Sequence, residues 1–215
     1  MEIEDHSKQG LAEGYGAIFH RIYRILIPVP FEFVRQAMVE LQKDPNQFSP
    51  AWLARFEKVY GEEGLLKPGD EFQIYITGPW NGPVRVASAS ADELRLVTLK
   101  GHLEAGKIHF RVLTAEEGHE DRESCGVFEI ESLARSRDAV VDFVYDKIPI
   151  AKVAQTEMWS SFCKSFSERA INLAKQARSA AAGMQAHQLT PATEVGEVQI
   201  LTERRDEVTG KWEKI

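Results

Sequence analysis

From Asp70 onward the side chains follow a period of two, and this alternation limits the possible folds more than any other feature of the chain. The runs "DEFQIYITG", "VRVASAS", "ELRLVTLKG", "KIHFRVLTA" and "GVFEIESLA" are separated only by short stretches rich in Gly, Pro, Asn or Asp. Such a series predicts an antiparallel meander. Phe72, Ile74 and Ile76 alternate with Gln73, Tyr75 and Thr77. Likewise Ile108, Phe110 and Val112 alternate with His109, Arg111 and Leu113, and Phe128 and Ile130 with Glu129 and Glu131. One face of the sheet is therefore apolar and needs a cover.

The flanking segments supply candidates for that cover. "AIFHRIYRILIPVPF" (Ala17 to Phe31) reads as a first strand ending near Pro28. After Pro30, Phe31, Val34, Met38 and Leu41 recur at helical spacing. "SPAWLARFEKVYG" predicts a second short helix, capped by Ser49, with Trp52, Phe56, Val59 and Tyr60 on one side and Gly61 as its stop. Helical period returns in "SRDAVVDFVYDK" and again from Ile150 to Ala182. In the latter, Ala154, Met158, Phe162, Phe166, Ala170, Leu173 and Ala177 form a stripe widened by Trp159 and Cys163. At ~1.5 Å per residue a helix of that length is long enough to cross a sheet and protrude from it. Beyond Gly183 a linker leads to "EVQILTERRDEVTGKWEKI", which suits either a small hairpin or an arm docking on another copy.

Strand, two short helices, curved antiparallel meander and one long C-terminal helix is the order of the START-like helix-grip fold. "TLKGHLEAGKIHF", "GVFEIESLARSRD" and "YDKIPIAKVAQTEMWSSFC" are similar to an uncharacterised family of bacterial and plant START-like domains of the SRPBCC superfamily. The similarity spans roughly Asp70 to Phe166, and its most specific pieces are Gly101-His102 with Glu104 and Gly106, and Ser136-Arg137. It implies an α+β fold in which a curved sheet wraps the long helix and leaves a cavity between them. Six strands are expected here, where helix-grip domains commonly have seven. The expected division is a helix-grip domain over residues 1–183 and a C-terminal arm or tail over 184–215. No established activity or catalytic residues accompany the family.

Composition narrows the functional classes. The formal charge is -7, and no Lys/Arg run with interleaved aromatics occurs, so nucleic acid is not an expected partner. No stretch approaches the ~20 apolar residues of a membrane span, and the acidic N-terminus lacks the basic start and apolar core of a signal peptide; the expected location is cytoplasmic. Cys125 and Cys163 have no metal-ligand spacing to each other or to a histidine, so neither a metal site nor any cofactor is expected.

Several residues are candidates for a site. His102 and Glu104, two apart in an extended segment, are an acid/base pair if the carboxylate orients the imidazole. The other reading of "GHLEAG" is a turn whose polar side chains bind local backbone. Arg135 and Arg137 flank Ser136 where a strand gives way to a helix, a setting for an anion, or else for a helix capped by Ser136 with its arginines on Asp138 or Glu131. Trp159, Phe162 and Phe166 either line a cavity or fill the core. In "ITGPWNGPVRV", Pro83 lacks the amide that a tight turn at Asn81-Gly82 requires. A wider loop from Gly78 to Pro83 is expected, with Trp80 at its tip as a pocket mouth or a plug.

Three functions fit these features. The first is a binding module for a small apolar or amphipathic molecule, held in an apolar cavity by Trp80, Arg135, Arg137, Trp159, Phe162 and Phe166. The second is an enzyme acting on a small apolar or aromatic substrate through His102 and Glu104. The third is an interaction module that forms a homo-oligomer through residues 184–215.

Overall fold

In the computed structural model the described residues are 7–76, 81–114, 125–139, 141, 149–181, 195–205 and 209–215. The meander forms as the alternation requires. Strands β3 (Glu71–Ile76), β4 (Asn81–Ala89), β5 (Glu93–Thr98), β6 (Glu104–Thr114) and β7 (Gly126–Ser136) each pair antiparallel with the next. The first strand, β1 (Tyr15–Ile27), returns to pair with β7. With β2 (Ala54–Tyr60) on one flank, and β8 (Gln199–Arg205) and β9 (Trp212–Lys214) on the other, the sheet has nine strands in the order β2-β3-β4-β5-β6-β7-β1-β8-β9.

Helix α1 (Phe31–Lys43) follows β1 with Val34, Ala37, Met38 and Leu41 buried. The long helix α2 (Pro149–Ala181) lies on the apolar face of the sheet. Its stripe is buried at Met158, Trp159, Phe162, Cys163, Phe166, Ala170 and Ala174, whereas residues 175–180 are exposed, so its last turns project beyond the packed region. The core is built on aromatic contacts. Phe128 of β7 stacks on Phe166 with ring centroids 3.7 Å apart, and Phe48 packs against both Phe162 and Phe166. Arg169 of α2 forms a two-pronged ion pair with Glu40 of α1, which fixes the two helices to each other. A curved antiparallel sheet holding one long helix is the helix-grip architecture.

The structure departs from the sequence reading in four places. Of two helical elements after β1, the second is the 3-10 turn Pro45–Gln47 rather than a helix over 49–60. One turn does start after Pro50, where Leu53 and Ala54 donate to its carbonyl, but the chain then extends into β2 and pairs with β3. Pairing with β3 overrides the helical spacing: Ala54 and Phe56 turn inward, while Trp52, Val59 and Tyr60 are exposed. Ser49 caps nothing; its hydroxyl donates to the Ala54 carbonyl.

Secondly, Asn81, Gly82 and Pro83 are strand residues opposite Tyr75, Ile74 and Gln73, so the β3–β4 connection is 77–80 instead of a loop reaching Pro83. Thirdly, Ser136 is the last residue of β7, and the acceptor at the following turn is Asp138, whose Oδ1 receives the Val141 amide at 2.9 Å. Finally, strands among the described residues number nine rather than six, because β2 replaces the expected helix and the C-terminal arm adds two. That arm pairs within its own chain, Ile18 opposite Arg205 through Arg24 opposite Gln199. Trp80 and most of "SRDAVVDFVYDK" lie outside the described residues.

Candidate functional site

Side-chain parity decides which residues face α2. On β1 the inward series runs Phe19, Arg21, Tyr23, Ile25, Ile27, with Tyr23, Ile25 and Ile27 in the core; on β7 it runs Phe128, Ile130, Ser132, Ala134. Register places Tyr23, Ile130 and Phe110 in one row across β1, β7 and β6, and Arg21, Ser132 and Ile108 in the next. Polar groups thus interrupt an apolar face. Arg21 is 8% exposed, Tyr23 1% and Ser132 5%.

From the helix side, Trp159 meets Phe110 edge-on at 5.8 Å, and Cys163, one turn later, lies against Tyr23 with its Sγ 4.0 Å from the backbone carbonyl. Burial pushes the Cys163 thiol far above its usual value, so it stays protonated at neutral pH and is no nucleophile. The Arg21 guanidinium sits 4.8 Å above the Phe19 ring, with Nη1 3.8 Å from Glu104 Oε1, an ion pair too long to be a hydrogen bond.

Among the described residues, Arg21 Nη1, Tyr23 Oη and Ser132 Oγ on the inward face of the sheet and Trp159 Nε1 on α2 are buried without a hydrogen-bond partner, as is Ser167 Oγ two turns further along α2. An unpaired buried polar group costs about 1–3 kcal/mol, and three of these lie on adjacent rows of the sheet's inward face, with Trp159 on the helix that packs over it. Burial pushes the Tyr23 hydroxyl above its ordinary value, offset first by the Thr156 side chain, a hydrogen-bonding neighbour on α2 that does not reach full hydrogen-bond geometry, and then by Arg21. Thr156 is exposed on α2, so the cluster lies close beneath the surface there.

His102 and Glu104 meet through backbone. Gly101, at φ +102°, reverses the chain after β5, and His102 Nδ1 then accepts the Glu104 amide at 2.9 Å. Gln9 clamps the same turn, donating to the carbonyls of His102 and Glu104. The ring lies over Gly82, where an added Cβ would fall 2.1 Å from His102 Cδ2. Burial pushes the imidazole below its usual pKa, with the nearby Glu104 acting in the opposite direction, so the ring is neutral. The Glu104 side chain faces Arg21 inside the grip rather than His102.

Arg135 and Arg137 are not brought into this cluster. Arg135 Nη2 donates to the Gly16 carbonyl, and Arg137 Nε to Asp138 at 2.8 Å. Phe162 and Phe166 are wholly buried in the aromatic core, whereas Trp159 keeps a buried, unpartnered indole N–H. A shallow groove of about 440 Å³ along β2, between Asn46 and Lys58, is lined by groups already satisfied; Asn46, for instance, exchanges two bonds with the Phe56 backbone. Among the described residues no three His, Cys, Asp or Glu could hold a metal ion, and no helix is long and apolar enough to cross a membrane.

Fold and cluster together define a helix-grip domain with a polar island buried in its grip. No family model matches the chain, and no curated protein does. Among solved structures it is similar to norcoclaurine synthase from Thalictrum flavum, 10% identical, with 78% of this chain and 95% of that one covered and a TM-score of 0.48. TTHA0849 from Thermus thermophilus is 14% identical over 71% of this chain and 98% of that one, with a TM-score of 0.46. The di-domain ARO/CYC StfQ from the steffimycin biosynthetic pathway is 12% identical over 76% and 52%, with a TM-score of 0.49. Likeness at this level says nothing of what this chain binds.

Proposed function

We propose that the protein binds a small amphipathic molecule between the sheet and α2, its polar end on Arg21, Tyr23, Ser132 and Trp159 and its apolar body against the neighbouring aromatic side chains. The observation that carries this reading is the set of four buried polar atoms without a hydrogen bond, three on the inward face of the sheet and one on α2. A core that served only packing would be more stable with apolar residues at Arg21 and Ser132. Each orphaned group becomes satisfied when a ligand supplies the missing partner.

The neutral fluorescent probe N-phenyl-1-naphthylamine tests it. A single saturable binding event is expected, abolished in Ser132→Leu, which replaces the hydroxyl on the inward face of β7 with a larger apolar side chain, while the thermal melt stays cooperative. Failure to bind, or equal binding by Ser132→Leu, would contradict the proposal.

An enzymatic reading is favoured by one observation, the inward Glu104 carboxylate beside the always-charged Arg21. In it, Glu104 moves the proton, and the neutral His102 positions Glu104 through its amide. Glu104→Gln should then abolish any turnover while the probe still binds.

A further inference from the structure

We infer that the ligand carries a neutral carbonyl group, because the buried cluster offers hydrogen-bond donors in excess while its one cationic side chain, Arg21, already faces the carboxylate of Glu104. This rests on the binding reading above and specifies the polar end of the molecule.

The donor count comes first. Arg21 Nη1 and Trp159 Nε1 can only donate, and both are buried without a hydrogen-bond acceptor. Tyr23 Oη, with Thr156 as its neighbour, and Ser132 Oγ, both buried, can donate or accept. A ligand that satisfies the two obligate donors must place at least one strong acceptor among them, and a carbonyl oxygen, with two lone pairs, takes two such bonds at once. An alkane or a simple arene leaves all four groups unsatisfied, and an ammonium group meets donors with donors.

Charge then separates a neutral carbonyl from a carboxylate. The guanidinium is permanently charged, and Glu104 Oε1 stands 3.8 Å from its Nη1 on the same face. Together they are formally neutral. A ligand carboxylate bound to Arg21 would bring a second negative charge next to Glu104 in a desolvated setting, where like-charge repulsion is strong. A ketone, ester, lactone or quinone accepts the same bonds without that penalty. The apolar flank suits the rest of such a molecule, since Phe110 and Ile130 continue the Tyr23 row and Trp159 crosses Phe110.

Displacement of bound N-phenyl-1-naphthylamine by three compounds of one shape tests the inference: 2-acetonaphthone, 2-isopropylnaphthalene and 2-naphthoate. A site with committed donors discriminates strongly against an analogue that lacks the acceptor. The ketone should bind about tenfold or more tightly than the hydrocarbon, the equivalent of about one hydrogen bond to a charged donor. It should also bind more tightly than the carboxylate. In Arg21→Met and, independently, in Trp159→Phe, the ketone's advantage over the hydrocarbon should shrink; in Glu104→Gln the carboxylate should gain on the ketone. Equal affinity for ketone and hydrocarbon, or tighter binding of naphthoate by the unaltered protein, would overturn the inference while leaving the binding reading intact. The same follows if the probe binds and none of the three displaces it. If the probe itself does not bind, both fall together.

Discussion

Gly82 and His102 are a matched pair. The glycine leaves open the space that the imidazole occupies, and the ring in turn receives the Glu104 amide. Gly82→Ala should cost about 1–3 kcal/mol in a urea melt, as overpacking does, and much less in a His102→Ala background. An equal cost in both backgrounds would separate the two residues.

His102 also sets a pH dependence, together with His109, which burial and Arg95 hold below the usual imidazole value. Each binds protons more readily unfolded than folded. Stability is therefore full above about pH 6.5 and falls as the pH drops from there toward the folded pKa values. At lower pH the carboxylates join. Glu40 is held below its usual value by Arg169, and Glu131, despite its burial, by His20 and Arg111, so their contribution is lost as the pH falls below about 4.3. Urea midpoints between pH 7.5 and 5.5 should decline, and His102→Asn should flatten the slope; an unchanged slope would contradict this assignment.

The residues missed in the sequence were nonetheless marked by parity. Arg21 occupies an inward position between Phe19 and Tyr23, and Ser132 follows Phe128 and Ile130 on the inward side of β7. A charged or hydroxyl residue in phase with a core stripe was the available signal. "GHLEAG" is a turn where the imidazole binds backbone, although Glu104 does face the cluster.

Among the elements, those with strong periodicity were legible and those set by their neighbours were not. Five meander runs became β3 to β7, and the long helix formed with the expected stripe buried from Met158 to Ala170, because burial on one face dictates both patterns; Leu173 is half-buried and Ala177 exposed, where the last turns project beyond the sheet. β2 was not legible because Phe56, the inward residue that matters, fits a helical or a strand spacing equally; pairing with β3 decides it. Phe162, 1% exposed and in contact with Phe48, Phe110, Phe128 and Trp159, anchors α2. Phe162→Ala should cost about 3–5 kcal/mol, and a loss below about 1 kcal/mol would show that α2 is not held by this cluster.

On the opposite face of the sheet, Glu129 is fully buried between Arg24 and Arg111, its direct neighbours across β1 and β6. Removing the carboxylate leaves the exposed Arg24 and the half-buried Arg111 guanidiniums facing one another. Glu129→Ala should cost about 2–4 kcal/mol, somewhat under the figure for a wholly buried pair because both arginines reach solvent. A smaller loss in Glu129→Ala combined with Arg24→Ala would confirm the coupling.

At the scale of the whole molecule, the C-terminal arm is part of the sheet. β8 covers the edge of β1, and His20 joins Glu131 of β7 to Glu203 of β8, with Trp212 of β9 edge-on to its ring. The arm's role was ambiguous in the sequence because its residues are mostly half-exposed and alternate weakly. A chain ending at Gly183 uncovers the β1 edge, so its melting temperature should fall by several degrees and it should self-associate, as open edges do. An unchanged melt and subunit count would make the arm dispensable to the fold.

The central claim is that a ligand enters the grip at the buried polar island, and Trp159 reports on it from within. The indole N–H resonances of the ¹⁵N-labelled protein, with the Trp159 signal assigned by Trp159→Phe, should be followed during titration with 2-acetonaphthone. The Trp159 signal is expected to shift downfield and saturate as its N–H gains an acceptor, while those of the exposed Trp52 and Trp212 stay in place. A Trp159 resonance that does not move while surface tryptophans do would contradict the account.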